Sequence, residues 1–318
     1  LSGGGAKGAY AAGAAKALFA YRKLCNVKSD VCFVGTSAGA LNAAVLAFFG
    51  PDELQQFWLE ATPQAILGRR PHGPLKRLAA RLLTMRLGGS EKSPFSLYGS
   101  DAIEQFLTDR LGEVSVDTSD ADINLIVCAT DYTKGTRAAF FVSRSLQRYC
   151  TLDAQKPPQK RRLSHFCTIA DTPTLIQALL ASAAIPVAFP PVKISDRWYV
   201  DGGIGDNTPV QEAAQFLRHT HAHSEVHQAG DTYCVKQEPP GKTLKVDGSF
   251  GFKGIVYRTY ELFHYLHMNP ILDSWYDISR RVAENKERVR AFNSDVSGMN
   301  LSTTDMNNIL QAFQPFDK

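Results

Sequence analysis

Residues 31–48, V-C-F-V-G-T-S-A-G-A-L-N-A-A-V-L-A-F, constrain this chain more than any other stretch. V-C-F-V-G (31–35) is short, β-branched and apolar, the pattern of a buried strand, and an Ala-rich helix follows Ser37. Only G-T-S-A-G (35–39) separates the two, so the turn between them must be sharp. A further Ala-rich helical run, residues 9–24, precedes the strand and is opened by glycines. Strand end, loop, helix, strand, turn and helix in that order make a βαβ unit, which requires a parallel sheet covered by helices. The expected fold is α/β: three layers, with a mostly parallel central sheet flanked by helices.

Later segments extend this pattern. Residues 123–131 (I-N-L-I-V-C-A-T-D) and 136–142 (T-R-A-A-F-F-V) read as two core strands, and 174–184 as a helix stopped by Pro186. W-Y-V-D-G-G (198–203) reads as a strand running into a turn, and 231–237 as a further strand. No repeat or low-complexity linker divides the 318 residues. One domain over 1–318 is expected, with a basic insertion or lid at 61–95 and a helical C-terminal part at 240–318. Leu1 is not an initiator methionine and the chain opens inside a Gly-rich loop, so a preceding strand is expected and a targeting segment before it stays open.

Six cysteines are scattered without a C-x-x-C pair, several within apolar runs such as I-V-C-A-T, which points to a reduced, cytoplasmic setting. No run is apolar for long enough to span a bilayer. The formal charge of +4 fits attraction to anionic lipid and is too small to support nucleic-acid binding by itself.

Three segments carry chemistry. G-T-S-A-G fits G-x-S-x-G, in which small neighbours such as Gly35 and Gly39 let a strained strand-to-helix turn expose the Ser37 hydroxyl at the carboxyl end of the sheet. The helix N-terminus behind it favours developing negative charge. A bare G-x-S-x-G is a common chance turn; the strand before and the helix after set this one apart. G-G-G-A-K-G (3–8) literally matches the dinucleotide pattern G-x-G-x-x-G. That reading needs an acidic residue ending the second strand, whereas Asp30 precedes it. The better reading is a row of free N–H groups, from Gly3, Gly4, Gly5 and Ala6, able to receive an oxyanion. Lys7 adds charge or is simply solvated, and Gly8 completes the motif. In D-G-G-I-G-D-N-T-P (201–209), Asp201 ends a strand on the same carboxyl edge as Ser37. Taken alone, Asp201-Gly202-Gly203 is as readily a plain turn as a working carboxylate.

As an ordered set these segments resemble the patatin-like phospholipases: a G-G-G-x-[K/R]-G loop, a G-x-S-x-G elbow one βα unit later, and a distant D-G-[G/A]. A-S-A-A-I-P-V-A-F-P-P-V (181–192), and Asn207 with Pro209, are similar to that family too. The resemblance covers residues 1 to about 210. It implies a patatin-like hydrolase fold and a Ser37–Asp201 dyad without histidine, hydrolysing acyl esters of glycerophospholipids. It implies neither metal nor cofactor.

The main rival is a lipase, esterase or thioesterase with a Ser–His–Asp triad, since His219, His221, His223 and His227 follow Asp201. The Gly-rich loop, however, lies closer to the elbow than in that fold. His219 and His223 have i, i+4 spacing, but no Cys or Glu-x-x pattern supports a zinc site, and a solvated loop accounts for them. His165, His264 and His267 read as surface or partly buried side chains. A catalytically weak membrane-signalling module would be expected to have lost Ser37, Asp201 or a glycine.

Residues 61–90 hold no acidic residue. Within them Leu75, Leu78, Ala79, Leu82 and Leu83 recur at helical spacing, with Lys76, Arg77 and Arg81 between and Arg86 after. This is either an interfacial helix with Arg77, Arg81 and Arg86 on anionic headgroups, or a core-packed helix with solvated arginines. The expected partner is a lipid ester at a membrane surface, met by a cytoplasmic, peripherally membrane-associated protein, with no nucleic acid and the oligomeric state open.

Overall fold

A computed structural model describes residues 1–26, 31–68, 96, 98–116, 123–157, 165–221, 233 and 235. The basic stretch at 75–86, the C-terminal part at 240–318 and most of the expected strand at 231–237 lie outside them. The chain divides into two compact units, Leu1–Ala12 with Lys28–Pro239, and Gly13–Val27 with Pro240–Lys318. Of the second unit residues 13–26 are described, the larger part of helix α1 (Gly8–Leu24) and its end.

In the first unit strand β1 (Phe33–Thr36) runs into α2 (Ala38–Phe48), as the G-T-S-A-G turn requires. Helices α3 (Pro51–Glu60), α4 (Pro63–Leu67) and α5 (Asp101–Leu111) follow. The hairpin β2 (Leu125–Asp131) and β3 (Thr136–Val142) leads to α6 (Arg144–Ala154) and β4 (Phe166–Thr168). Then come α7 (Thr172–Ser182), the hairpin β5 (Val192–Ile194) and β6 (Arg197–Asp201), and α8 (Val210–His221).

The α/β expectation holds, with helices flanking a six-stranded sheet. Its described pairings are mixed rather than mostly parallel. β1–β2 and β3–β4 are parallel, whereas β2–β3, β2–β6 and β5–β6 are antiparallel. For β2–β3 and β5–β6 the physical reason is chain length: their connections are too short for a crossover helix, and short connections can join only antiparallel neighbours.

All seven residues of β2 are buried, so both its faces are covered. Leu146 of α6 and Phe216 of α8 pack with Val34, Ile126, Cys128 and Phe141. Helices α2 and α7 also pack on β2. Ala38–Leu46 of α2 are buried without interruption, as expected of a helix apolar all round. The five described cysteines are free thiols. Burial pushes those of Cys32 and Cys128 up, so they act as small hydrophobes. No helix among the described residues is long and apolar enough to cross a membrane.

Candidate active site

The site arises from an end-to-end meeting of two strands. β1 lies parallel to β2 and pairs with Leu125–Cys128, its last residue, Thr36, opposite Cys128. β6 lies antiparallel along the same edge of β2 and pairs with Ala129–Asp131, its last residue, Asp201, opposite Ala129. The two strands therefore run toward each other and stop one residue apart in register. Ser37 and Asp201 come together although 164 positions separate them (201 − 37).

Ser37 has φ 54°, ψ −127°, a left-handed backbone that side chains rarely adopt. Such strain at a strand-to-helix turn is what a nucleophile elbow stores. The crowding that maintains it is specific. A Cβ on Gly35 would lie 2.1 Å from the Gly39 carbonyl oxygen, and one on Gly39 would lie 2.3 Å from the Leu1 oxygen. On Gly202 it would lie 2.2 Å from the Cys128 oxygen, so the Asp-Gly-Gly turn can close on β2 only with glycine there.

Asp201 is fully buried. Its Oδ1 accepts from the Gly203 amide at 2.8 Å. Its Oδ2 is buried and no hydrogen bond reaches it among the described residues. Burial pushes the carboxyl up from its ordinary 3.8 to about 6, against the opposing pull of the nearby Ser37 hydroxyl and the Gly203 amide. The following turn is anchored separately: Thr36 Oγ1 donates to the Asp206 carbonyl at 3.0 Å, and Arg137 lies 3.3 Å from both Asp206 and Glu212.

The Gly-rich loop packs directly on the serine, since a Cβ on Gly3 would lie 3.0 Å from Ser37 Cβ. Gly3 donates its amide to the Asn207 carbonyl at 3.1 Å, and Asn207 Nδ2 donates back to the Gly3 carbonyl at 3.3 Å. The Gly3 amide is thus engaged, which leaves Gly4, Gly5 and Ala6 of the four expected donors. Lys7 is exposed at the end of the 3-10 turn Gly5–Lys7, its amide donating to Gly4, and Gly8 opens α1.

Two residues from segments the sequence singled out, Asn207 and Ser182, take roles that sequence reasoning did not assign. Asn207 clamps the Gly-rich loop from both sides. Ser182, the last residue of α7, is completely buried; its Oγ accepts from the Ser37 amide at 2.9 Å and donates to the Cys128 carbonyl at 2.5 Å. The available signal was a lone hydroxyl in the apolar run A-L-L-A-S-A-A. Ser182→Ala would strand a buried N–H and a buried C=O, costing about 1–3 kcal/mol of stability. With the elbow loosened, kcat is expected to fall roughly tenfold to a hundredfold. KM should barely move, which steady-state kinetics beside thermal unfolding will show.

Of the eight histidines, only the side chain of His165 is described. It lies beside β4, on the far side of β3 from Ser37, and burial lowers its pKa to about 4. His219 and His221 fall in the last turns of α8, their side chains outside the described set, as are His223 and His227 entirely. Among the described residues no cluster of His, Cys, Asp and Glu could hold a metal ion.

A strained serine beside a buried carboxylate, with a Gly-rich loop packed on the serine where β1 and β6 meet, is the arrangement of a serine-hydrolase type of site. The family model of patatin-like phospholipases matches residues 1–214, from the Gly-rich loop through the Asp-Gly-Gly turn and into α8. The chain belongs to the patatin-like phospholipase family, and at family level it is a lipid acyl hydrolase. No curated protein matches it.

Proposed function

We propose that this chain hydrolyses acyl esters of glycerophospholipids, with Ser37 as nucleophile and Asp201 as its base. The observation that supports this most is the head-on approach of β1 and β6, with a strained serine beside a buried carboxylate whose Oδ2 accepts no hydrogen bond among the described residues. Asp201 accepts the Ser37 proton as Oγ attacks the ester carbonyl carbon. The carbonyl oxygen becomes an oxyanion received by the amides of Gly4, Gly5 and Ala6. Collapse breaks the ester C–O bond, and the leaving alkoxide takes the proton from Asp201. Water then attacks the acyl-serine, again giving its proton to Asp201, and as the C–Oγ bond breaks Asp201 returns that proton to Ser37 Oγ and the fatty acid departs. Hydrogen bonds of this kind are often long in a free enzyme and tighten with substrate. Within this reading the protein is cytoplasmic and peripherally membrane-associated, one catalytic domain with a lid at 61–95. A fluorophosphonate probe followed by peptide mass spectrometry tests the proposal: the label belongs on Ser37, and a label on another serine refutes it.

The pH dependence follows from the carboxyl. As a base Asp201 must be ionised, so kcat/KM for a soluble ester should climb about tenfold per pH unit below its pKa of about 6 and level off above it. Stability moves the other way. The native carboxyl holds its proton more tightly than the unfolded one, so its contribution is complete below 3.8 and is lost as pH rises to about 6. Asp201→Asn, inactive, should therefore match wild type in stability near pH 4 and exceed it by about 2–3 kcal/mol at pH 7. Urea unfolding at the two pH values measures the gap.

A further inference from the structure

Two hairpin turns stand side by side at the end of the sheet beyond Ser37. Tyr132–Gly135 joins β2 to β3, and Ser195–Asp196 joins β5 to β6. They are tied together: Tyr132 donates its amide to the Trp198 carbonyl at 2.8 Å, and Trp198 donates its own to Thr133 Oγ1 at 2.9 Å. Lys193 pairs with Trp198 in register, its Nζ 5.9 Å from the centre of the indole. Lys193, Trp198 and Tyr132 thus form a row across three neighbouring strand ends. Tyr132 is 68% exposed and Trp198 38%.

The charge of this tip is positive. Arg197 is held by Asp131 at 3.4 Å and Asp196 at 4.0 Å, whereas Lys134 and Lys193, both exposed, form no ion pair with a described residue. Its position is fixed by register. β1 ends at Thr36, level with Cys128, and Tyr132 lies four residues further along the chain, just past β2 and about 13 Å beyond the end of β1. Substrates of open α/β sheets approach from that carboxyl end.

We propose that this double tip is a docking surface for an anionic lipid bilayer, with Trp198 and Tyr132 at headgroup level and Lys134 and Lys193 on the anionic phosphates. Tyr and Trp combine an apolar body with a polar edge that suits the bilayer interface, and lysine stems reach past them to the headgroups. The tip is a pair of exposed turns, and a lipid interface takes up such turns without a matching groove. The inference rests on the reading above that the substrate is a phospholipid, and it assigns the contact that would bring Ser37 to it.

The test compares wild type with Lys134→Glu/Lys193→Glu and with Tyr132→Ser/Trp198→Thr. The full chain is used with sedimented vesicles of phosphatidylcholine alone or mixed with phosphatidylserine. Circular dichroism and turnover of a small soluble ester control for folding and for the site. Wild type should bind the mixed vesicles. The charge variant should lose about tenfold or more in partition on them. The aromatic variant should lose binding on both kinds, and soluble-ester turnover should be unchanged in all three. Brominated phospholipid should quench Trp198 in wild type, with the quenching lost in Trp198→Phe. Equal vesicle binding by all three proteins, or no binding by wild type, overturns the docking surface. Vesicle binding that depends on the tip but releases no fatty acid from phospholipid supports the surface and refutes the proposed substrate instead.

Discussion

Ser37→Ala and Asp201→Ala should each lower turnover of an acyl ester by roughly a thousandfold or more, and the double variant should be little worse than either. The non-additivity is the informative part. A nucleophile and the base that takes its proton act as one unit, so removing the second partner of a broken pair costs almost nothing further. The two residues follow or end different strands and share no secondary-structure element, so independent structural damage would give two separate losses rather than one shared one. Initial rates on a soluble ester, with circular dichroism to show intact folds, decide the matter. Near-full activity in Asp201→Ala would remove the carboxylate from the mechanism. A double variant whose loss multiplies the two single losses would show the residues acting separately.

Gly39→Ala should be among the most damaging single methyls in the described part of the chain. Its Cβ would lie 2.3 Å from the Leu1 oxygen and 2.5 Å from the Ser2 oxygen, both backbone atoms that cannot rotate away. Helix α2 has no free side into which to retreat, because Ala38–Leu46 are buried throughout. Overpacking of this kind costs about 3 kcal/mol or more. For a domain of this size that is a fall in Tm of roughly 6–12 °C. Separating the first two residues from α2 also moves Gly3 off Ser37, so fluorophosphonate labelling should slow even where the variant remains folded. Gly5→Ala is the contrasting control. Its Cβ would meet nothing within 4 Å, and only its φ of +57° opposes the change, a cost of about 1–2 kcal/mol. Comparable Tm values for the two variants would contradict the packing argument.

The elbow was legible in the sequence because its determinants are local. Five residues between a β-branched run and an Ala-rich run leave only a tight turn, and the structure has Ser37 at that turn with a positive φ. The hairpin at 123–142 and the helix ending near Pro186 were legible for the same reason, through periodicity and breakers. The sheet's mixed pairing was less so. A βαβ opening suggests parallel neighbours, and it is the short β2–β3 and β5–β6 connections that reverse β3 relative to β2 and β6 relative to β5, while the β2–β6 pairing is set by the tertiary fold.

What the sequence determined by itself, then, is which groups are present and what each local segment must do. A serine is raised on a strained turn, glycines leave amides uncovered, and a strand ends in aspartate. Tertiary structure alone decided how they meet. Asp201 could be read equally as a turn residue until β6 was seen to share an edge of β2 with β1, end against end. The same long-range pairing sets Ser182 under the Ser37 amide and commits the Gly3 amide to Asn207. These contacts join residues more than a hundred positions apart. Their energies depend on register and burial, which neither composition nor spacing encodes locally, and the raised pKa of Asp201 exists only because that burial does.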